Sequence, residues 1–139
     1  MGLDTSHDCW HGSYITFGHW RNAIAVAAGY AVYDVMTGHS PGRAHPKPTV
    51  MLDWGHLGTR AHLLGEWEET PSDPLLVLIV HADDEGWILK EQAAPLADRM
   101  EALLPLIPED NGYEYRTRAE RFIAGLRLAV ERGESVVFH

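Results

Sequence analysis

Cysteine is almost absent from this chain: one residue in 139, Cys9, which excludes an intrachain disulfide framework and suits a reducing cytoplasm. Long apolar runs are missing too. The stretch from Leu75 to Val80 falls far short of the roughly 20 residues that span a bilayer, so neither a transmembrane helix nor a membrane partner is expected. The start has no basic region followed by an apolar run, so export by a signal peptide is not expected. Positive charge is scarce, and a formal net charge of -9 opposes non-specific attraction to DNA, RNA or anionic lipid; nucleic acid is not an expected partner. Walker-type, dinucleotide and nucleophile-elbow glycine motifs do not occur, which sets aside the common nucleotide enzymes and the α/β-hydrolases. C-x-x-C and H-E-x-x-H spacings do not occur either.

What is there is enough for one domain over residues 1–139, since 45% hydrophobic content supplies a core and the length is too short for two ordinary domains. The densest chemistry lies at the opening, Gly2-Leu3-Asp4-Thr5-Ser6-His7-Asp8-Cys9-Trp10-His11-Gly12-Ser13-Tyr14. On an extended strand, side chains two apart share a face, so His7, Cys9 and His11 would align as three ligands for zinc or a similar divalent ion. On a helix only His7 and His11 would meet, one turn apart. Gly12 followed by Ser13 reads as a break and an N-cap, which puts the cluster on a strand running into a helix. The plain alternative is a buried cysteine beside histidines that cap or pack.

Three helical patterns follow. The first spans Ser13 to Ala28, with Tyr14, Phe17, Ile24 and Ala28 on one stripe and Gly29 closing it. Arg21 falls on the same stripe and needs an anionic ligand, a carboxylate such as Asp4 or Asp83, or a path to water. The second starts near Ala94-Pro95, with Leu96, Met100, Leu103 and Ile107 inward and Pro105 and Pro108 marking its end. The third runs from Tyr115 to Arg132, with Ala119, Phe122, Ile123, Leu126 and Val130 on the core face and Gly133 at its close. Arg116, Arg118, Arg121, Arg127 and Arg132 lie on its other face and read as solvated, pairing with Glu120 or Glu131.

Between these patterns, residues 37–49 carry three prolines and two glycines and read as an exposed loop bearing His39 and His45. Residues 50–67 are ambiguous. Leu75 to Val80 reads as a central strand buried on both faces, leading to His81, Asp83 and Asp84; Ser135 to His139 reads as a terminal strand. The expected fold is α/β, a small sheet of about three or more strands covered by about three helices. Were the first two strands parallel, their ends would join His7, Cys9 and His11 to His81, Asp83 and Asp84 in one crevice.

Three motifs, G-L-D-T-S-H-x-C-W-H-G at the opening, H-x-D-x-x-G followed by P-L-A-D-R in the middle, and F-I-x-G-L-R near the end, resemble an uncharacterised family of small bacterial and phage-encoded proteins. The resemblance implies a single compact domain in a bacterial or viral setting and brings no activity with it. That family's middle motif often has serine and cysteine where this chain has Ala82 and Asp84, a departure that weakens a cysteine-rich zinc site.

Two classes of function fit. A binding module would capture a small polar or nucleotide-like ligand, with Trp10, Tyr14 or Trp20 stacking and His7, His11 and Arg21 meeting anionic groups beside His81, Asp83 and Asp84. In the phage setting it extends to an antagonist of bacterial immune signalling that sequesters a nucleotide. The alternative is a metal-dependent hydrolase with ligands among His7, Cys9, His11, His81 and Asp83. A Cys9 nucleophile activated by His7 or His11 is a third reading. A homo-oligomer is compatible with all three.

Overall fold

The first long helix, α1 (Tyr14–Ala28), is the axis of the fold because its sequence is apolar nearly all round: Phe17, Trp20, Ala23, Ile24, Ala25, Val26 and Ala27 are all buried. The expected caps set its ends. Ser13 Oγ accepts the Thr16 N–H at 3.1 Å, and Gly29 takes the left-handed conformation (φ 86°) that stops the helix. The computed structural model describes residues 2–30, 32–34, 36, 50–52, 70–82, 85–107 and 114–139.

Around this axis the ladders are short and antiparallel. β1 (Gly2–Asp4) pairs with β2 (His11–Ser13), β3 (Val32–Asp34) with β4 (Val50–Leu52), and β5 (Gly86–Ile88) with β6 (Val136–Phe138). The class is mixed α/β as expected, yet each sheet among the described residues has two strands rather than three or more. The terminal strand lies where the sequence puts it. A bridge from Thr5 to Phe138, flanked by reciprocal Asp4 and His139 backbone hydrogen bonds of 3.0 and 2.9 Å, stitches the opening hairpin to the closing one.

Two expectations fail here. The opening is not one strand: between β1 and β2 the chain makes a 3-10 turn at Ser6–Asp8, in which His7 (φ 59°) and Asp8 (φ 57°) are both left-handed. That reversal removes the period of two that would have aligned His7, Cys9 and His11. Nor is Leu75–Val80 a central strand. It contains the short helix α2 (Leu76–Ile79), entered through Asp73, whose Oδ1 accepts the Leu75 N–H at 3.0 Å, and Pro74, whose carbonyl accepts from Val77. A run buried on every side has no periodicity to separate strand from helix. With that strand gone and every ladder among the described residues antiparallel, those residues form no parallel crevice.

The remaining helices close the core. α3 (Lys90–Leu103) begins earlier than Pro95 suggests, because Gln92 Oε1 accepts the Leu89 N–H at 3.0 Å and caps the first turn from within. Leu96, Met100, Leu103 and Ile107 are buried as expected, the last beyond a 3-10 turn at Leu104–Leu106. α4 (Tyr115–Arg132) keeps its expected bounds, ends at left-handed Gly133 and packs along α3. Ala119, Phe122, Ile123 and Leu126 are buried as expected; only the last position differs, where Ala129 is buried and Val130 is exposed. An aromatic cluster joins the layers, with Trp10 5.0 Å from both Phe17 and Trp20, and Trp20 5.1 Å from Phe122. Among the described residues, no helix is long and apolar enough to cross a membrane.

Candidate functional site

The strongest candidate is a pocket of about 160 Å³ between the opening segment and the first two turns of α4. Cys9, Trp10 and His11 form one wall, and Glu114, Thr117, Arg118 and Arg121 the other. The helix wall follows from spacing, because positions 114, 117, 118 and 121 share one stripe of an α-helix. The other wall is held by β2 and by the Thr5 hydroxyl, which accepts the Trp10 N–H at 2.9 Å.

Two buried donors in these walls have no hydrogen-bond partner among the described residues: Trp10 Nε1 and Arg118 Nε. The Arg118 guanidinium lies 4.9 Å from the centre of the Trp10 ring, a cation–π contact that fixes both groups. Arg121 is held by Asp8, through Nη2 to Oδ1 at 2.5 Å and Nε to the carbonyl oxygen at 3.4 Å. The pocket also faces the amino end of an 18-residue helix, whose backbone dipoles favour negative charge.

The residues singled out in the sequence scatter around this pocket. Trp10 and His11 line it; His11 is exposed, and its Nδ1 meets Asp4. Cys9 lines it too, but burial pushes its thiol up to about 12, so it is neither a ready metal ligand nor a nucleophile at neutral pH. His7 turns to the far end of α4. Its Nε2 donates to Glu134 at 3.1 Å, and its Nδ1 accepts from Ser6 Oγ at 2.8 Å. Tyr14 packs against the core from its edge. Trp20 is fully buried, with Nε1 donating to the Tyr115 carbonyl at 3.1 Å, so it offers no face for stacking a ligand.

Arg21 finds backbone oxygens, donating to the His81 carbonyl and to the Leu78 carbonyl at 3.3 Å, with its guanidinium 4.5 Å from the Phe17 ring centre. His81 is buried and stacked 4.0 Å from Phe138. Its Nδ1 lies 2.6 Å from the Ala82 carbonyl and its Nε2 3.0 Å from that of Trp87. Burial and the Arg21 charge outweigh these carbonyls and hold its pKa below the ordinary histidine value. Asp83, Asp84, His39 and His45, with the 37–49 loop, lie outside the described residues. Among the described residues, no three His, Cys, Asp or Glu side chains are placed to hold a metal ion.

Sequence reasoning missed Arg118 and Arg121 as wall residues by assigning them to a solvated helix face. Their expected local pairs are not the ones formed: Arg121 meets Asp8, Arg127 meets Asp98 and Glu101, and Arg116 donates to the Ile107 carbonyl. The usable signal was the run of Glu114, Thr117, Arg118 and Arg121 leading to Gly125, the small residue that lets this stripe approach the opening turn. Comparison of the chain with family models, with curated proteins and with solved structures gives no match.

Proposed function

We propose that the protein is a small binding module that captures the anionic end of a small polar ligand between Trp10, His11, Arg118 and Arg121. The carrying observation is the pair of buried donors, Trp10 Nε1 and Arg118 Nε, that lack a partner among the described residues. A buried donor left unsatisfied costs about 1–3 kcal/mol, which an acceptor brought by the ligand would recover. Arg121 and the amino end of α4 add attraction for negative charge.

Size narrows the ligand. A pocket of about 160 Å³ is smaller than the roughly 300 Å³ at which sites for drug-sized molecules begin, so a nucleotide would insert a phosphate and leave its base outside. Capture of a signalling nucleotide, the role drawn from the resemblance to phage-encoded proteins, is restricted to that mode. Metal-dependent hydrolysis has no comparable support, because His7, His11 and His81 are separately engaged with Glu134, Asp4 and backbone carbonyls.

Calorimetric titration with inorganic phosphate and with acetate, at constant ionic strength, tests the reading. Saturable binding of at least one anion, one per chain and weakened tenfold or more by Arg118→Gln, is expected. Binding of neither anion, or binding indifferent to Arg118→Gln, overturns it.

A further inference from the structure

We infer that the group captured is a dianionic phosphate monoester, and that it binds by taking Arg121 over from Asp8; this rests on the pocket reading above. Arg121, on the pocket wall, already holds a competing anion from a residue just outside the lining. The Asp8 carboxylate holds Arg121 at 2.5 Å, from a side chain 76% exposed against an arginine side chain 54% exposed. An exposed pair of this kind contributes little, so giving it up costs the protein little.

The internal competitor decides between anions. Asp8 is tethered, and its effective concentration at Arg121 is on the order of millimolar or above. A ligand carboxylate offers the same charge and the same two oxygens, so it exchanges like for like and loses to the tethered group. A phosphate monoester brings close to two charges and three acceptor oxygens. One oxygen can meet Arg121 while another meets Arg118 Nε, a donor that Asp8 leaves unsatisfied. Arg121 stays beside the pocket during the exchange, because its Nε also donates to the Asp8 backbone carbonyl.

Asp8 stands in a left-handed conformation (φ 57°) that aspartate and asparagine tolerate better than most residues. Asp8→Asn therefore removes the competing charge while preserving the turn. Titrations of wild type, Asp8→Asn and Arg118→Gln with inorganic phosphate, methyl phosphate and acetate form the test. Both phosphates are expected to bind wild type, acetate to bind it at least about tenfold more weakly, and Asp8→Asn to tighten phosphate and acetate alike by about two- to fivefold, the scale of an exposed ion pair. Phosphate affinity unchanged or weakened by Asp8→Asn, or acetate matching phosphate on wild type, overturns the exchange while leaving the pocket standing. Loss of every anion from every variant removes the pocket and this inference together.

Discussion

Gly125 and Cys9 touch so closely that a Cβ at position 125 would overlap the Cys9 sulfur and lie 2.8 Å from the His7 carbonyl oxygen. The contact seats the left-handed turn against α4 and thereby places Trp10 opposite Arg118. Helix propensity alone would favour alanine at 125 by about 1 kcal/mol. The overlap reverses the sign, because the neighbours are a buried sulfur and a backbone carbonyl rather than the end of a flexible side chain.

Gly125→Ala is therefore expected to destabilise the fold by about 1–3 kcal/mol, the usual cost of overpacking. Urea unfolding measures it. Adding Cys9→Ala should recover part of the loss and not all, since the His7 carbonyl remains; strictly additive effects would show that the two residues do not conflict.

The same region shows what the sequence could disclose. Ser13 and Gly29 bracket α1 because caps have chemical signatures, and Tyr115–Arg132 is legible because its core face repeats every 3.6 residues. His7 and Asp8 gave only a weak warning: histidine and aspartate enter the left-handed region more often than most residues but do not require it, and a split hairpin read as one strand. Leu75–Val80 carried burial without period. Arg118 and Arg121 were visible as a stripe, but which face of α4 meets Trp10 depends on tertiary packing that no local pattern records.

Alkaline pH should weaken the protein through two acids, the buried Cys9 and the half-buried Tyr30. Cys9 is raised from 9.0 to about 12 chiefly by burial, and Tyr30 is raised above its ordinary 10.0 by burial and by its hydrogen bond to Asp73. For an acid raised in the folded state, stability is full below the unfolded pKa and is lost as pH climbs toward the folded one. The loss should begin near pH 9 with Cys9 and continue above pH 10 with Tyr30. Urea midpoints measured from pH 8 to 11 should fall less steeply between 9 and 10 for Cys9→Ala, and less steeply above 10 for Tyr30→Phe. Slopes identical to wild type in both variants would refute the assignment.

Acid should act through His81. Its folded pKa lies below 6.5 because burial disfavours the imidazolium, so the contribution is complete above pH 6.5 and is lost as pH falls from there toward the folded value. The unfolded chain takes up the proton first. His81→Asn should flatten the fall in stability below pH 6.5, and proton NMR should show the wild-type ring titrating below the ordinary histidine value. A ring already protonated at pH 6.5 would mean that the Ala82 and Trp87 carbonyls, rather than burial, decide its charge.

Asp73 should be the costliest single polar loss outside the pocket. Its Oδ2 accepts the Tyr30 hydroxyl at 2.6 Å, while Oδ1 accepts Arg99 Nε at 3.2 Å and the Leu75 N–H at 3.0 Å. One half-buried carboxylate thus ties the end of α1, the entry to α2 and the outer side of α3. Asp73→Ala strands all three donors and should cost about 2–4 kcal/mol, counting about 1 for each neutral bond and more for the charged one. Asp73→Asn keeps one carbonyl oxygen and should cost roughly half as much. Because the Leu75 N–H opens the only helical turn between Asp73 and Val80, hydrogen exchange should quicken first at the α2 amides of Val77 to Val80, ahead of α1 and α3. Equal protection across all three helices in Asp73→Ala would show that α2 is held by its buried Val77, Leu78 and Ile79 alone and that Asp73 is a peripheral contact.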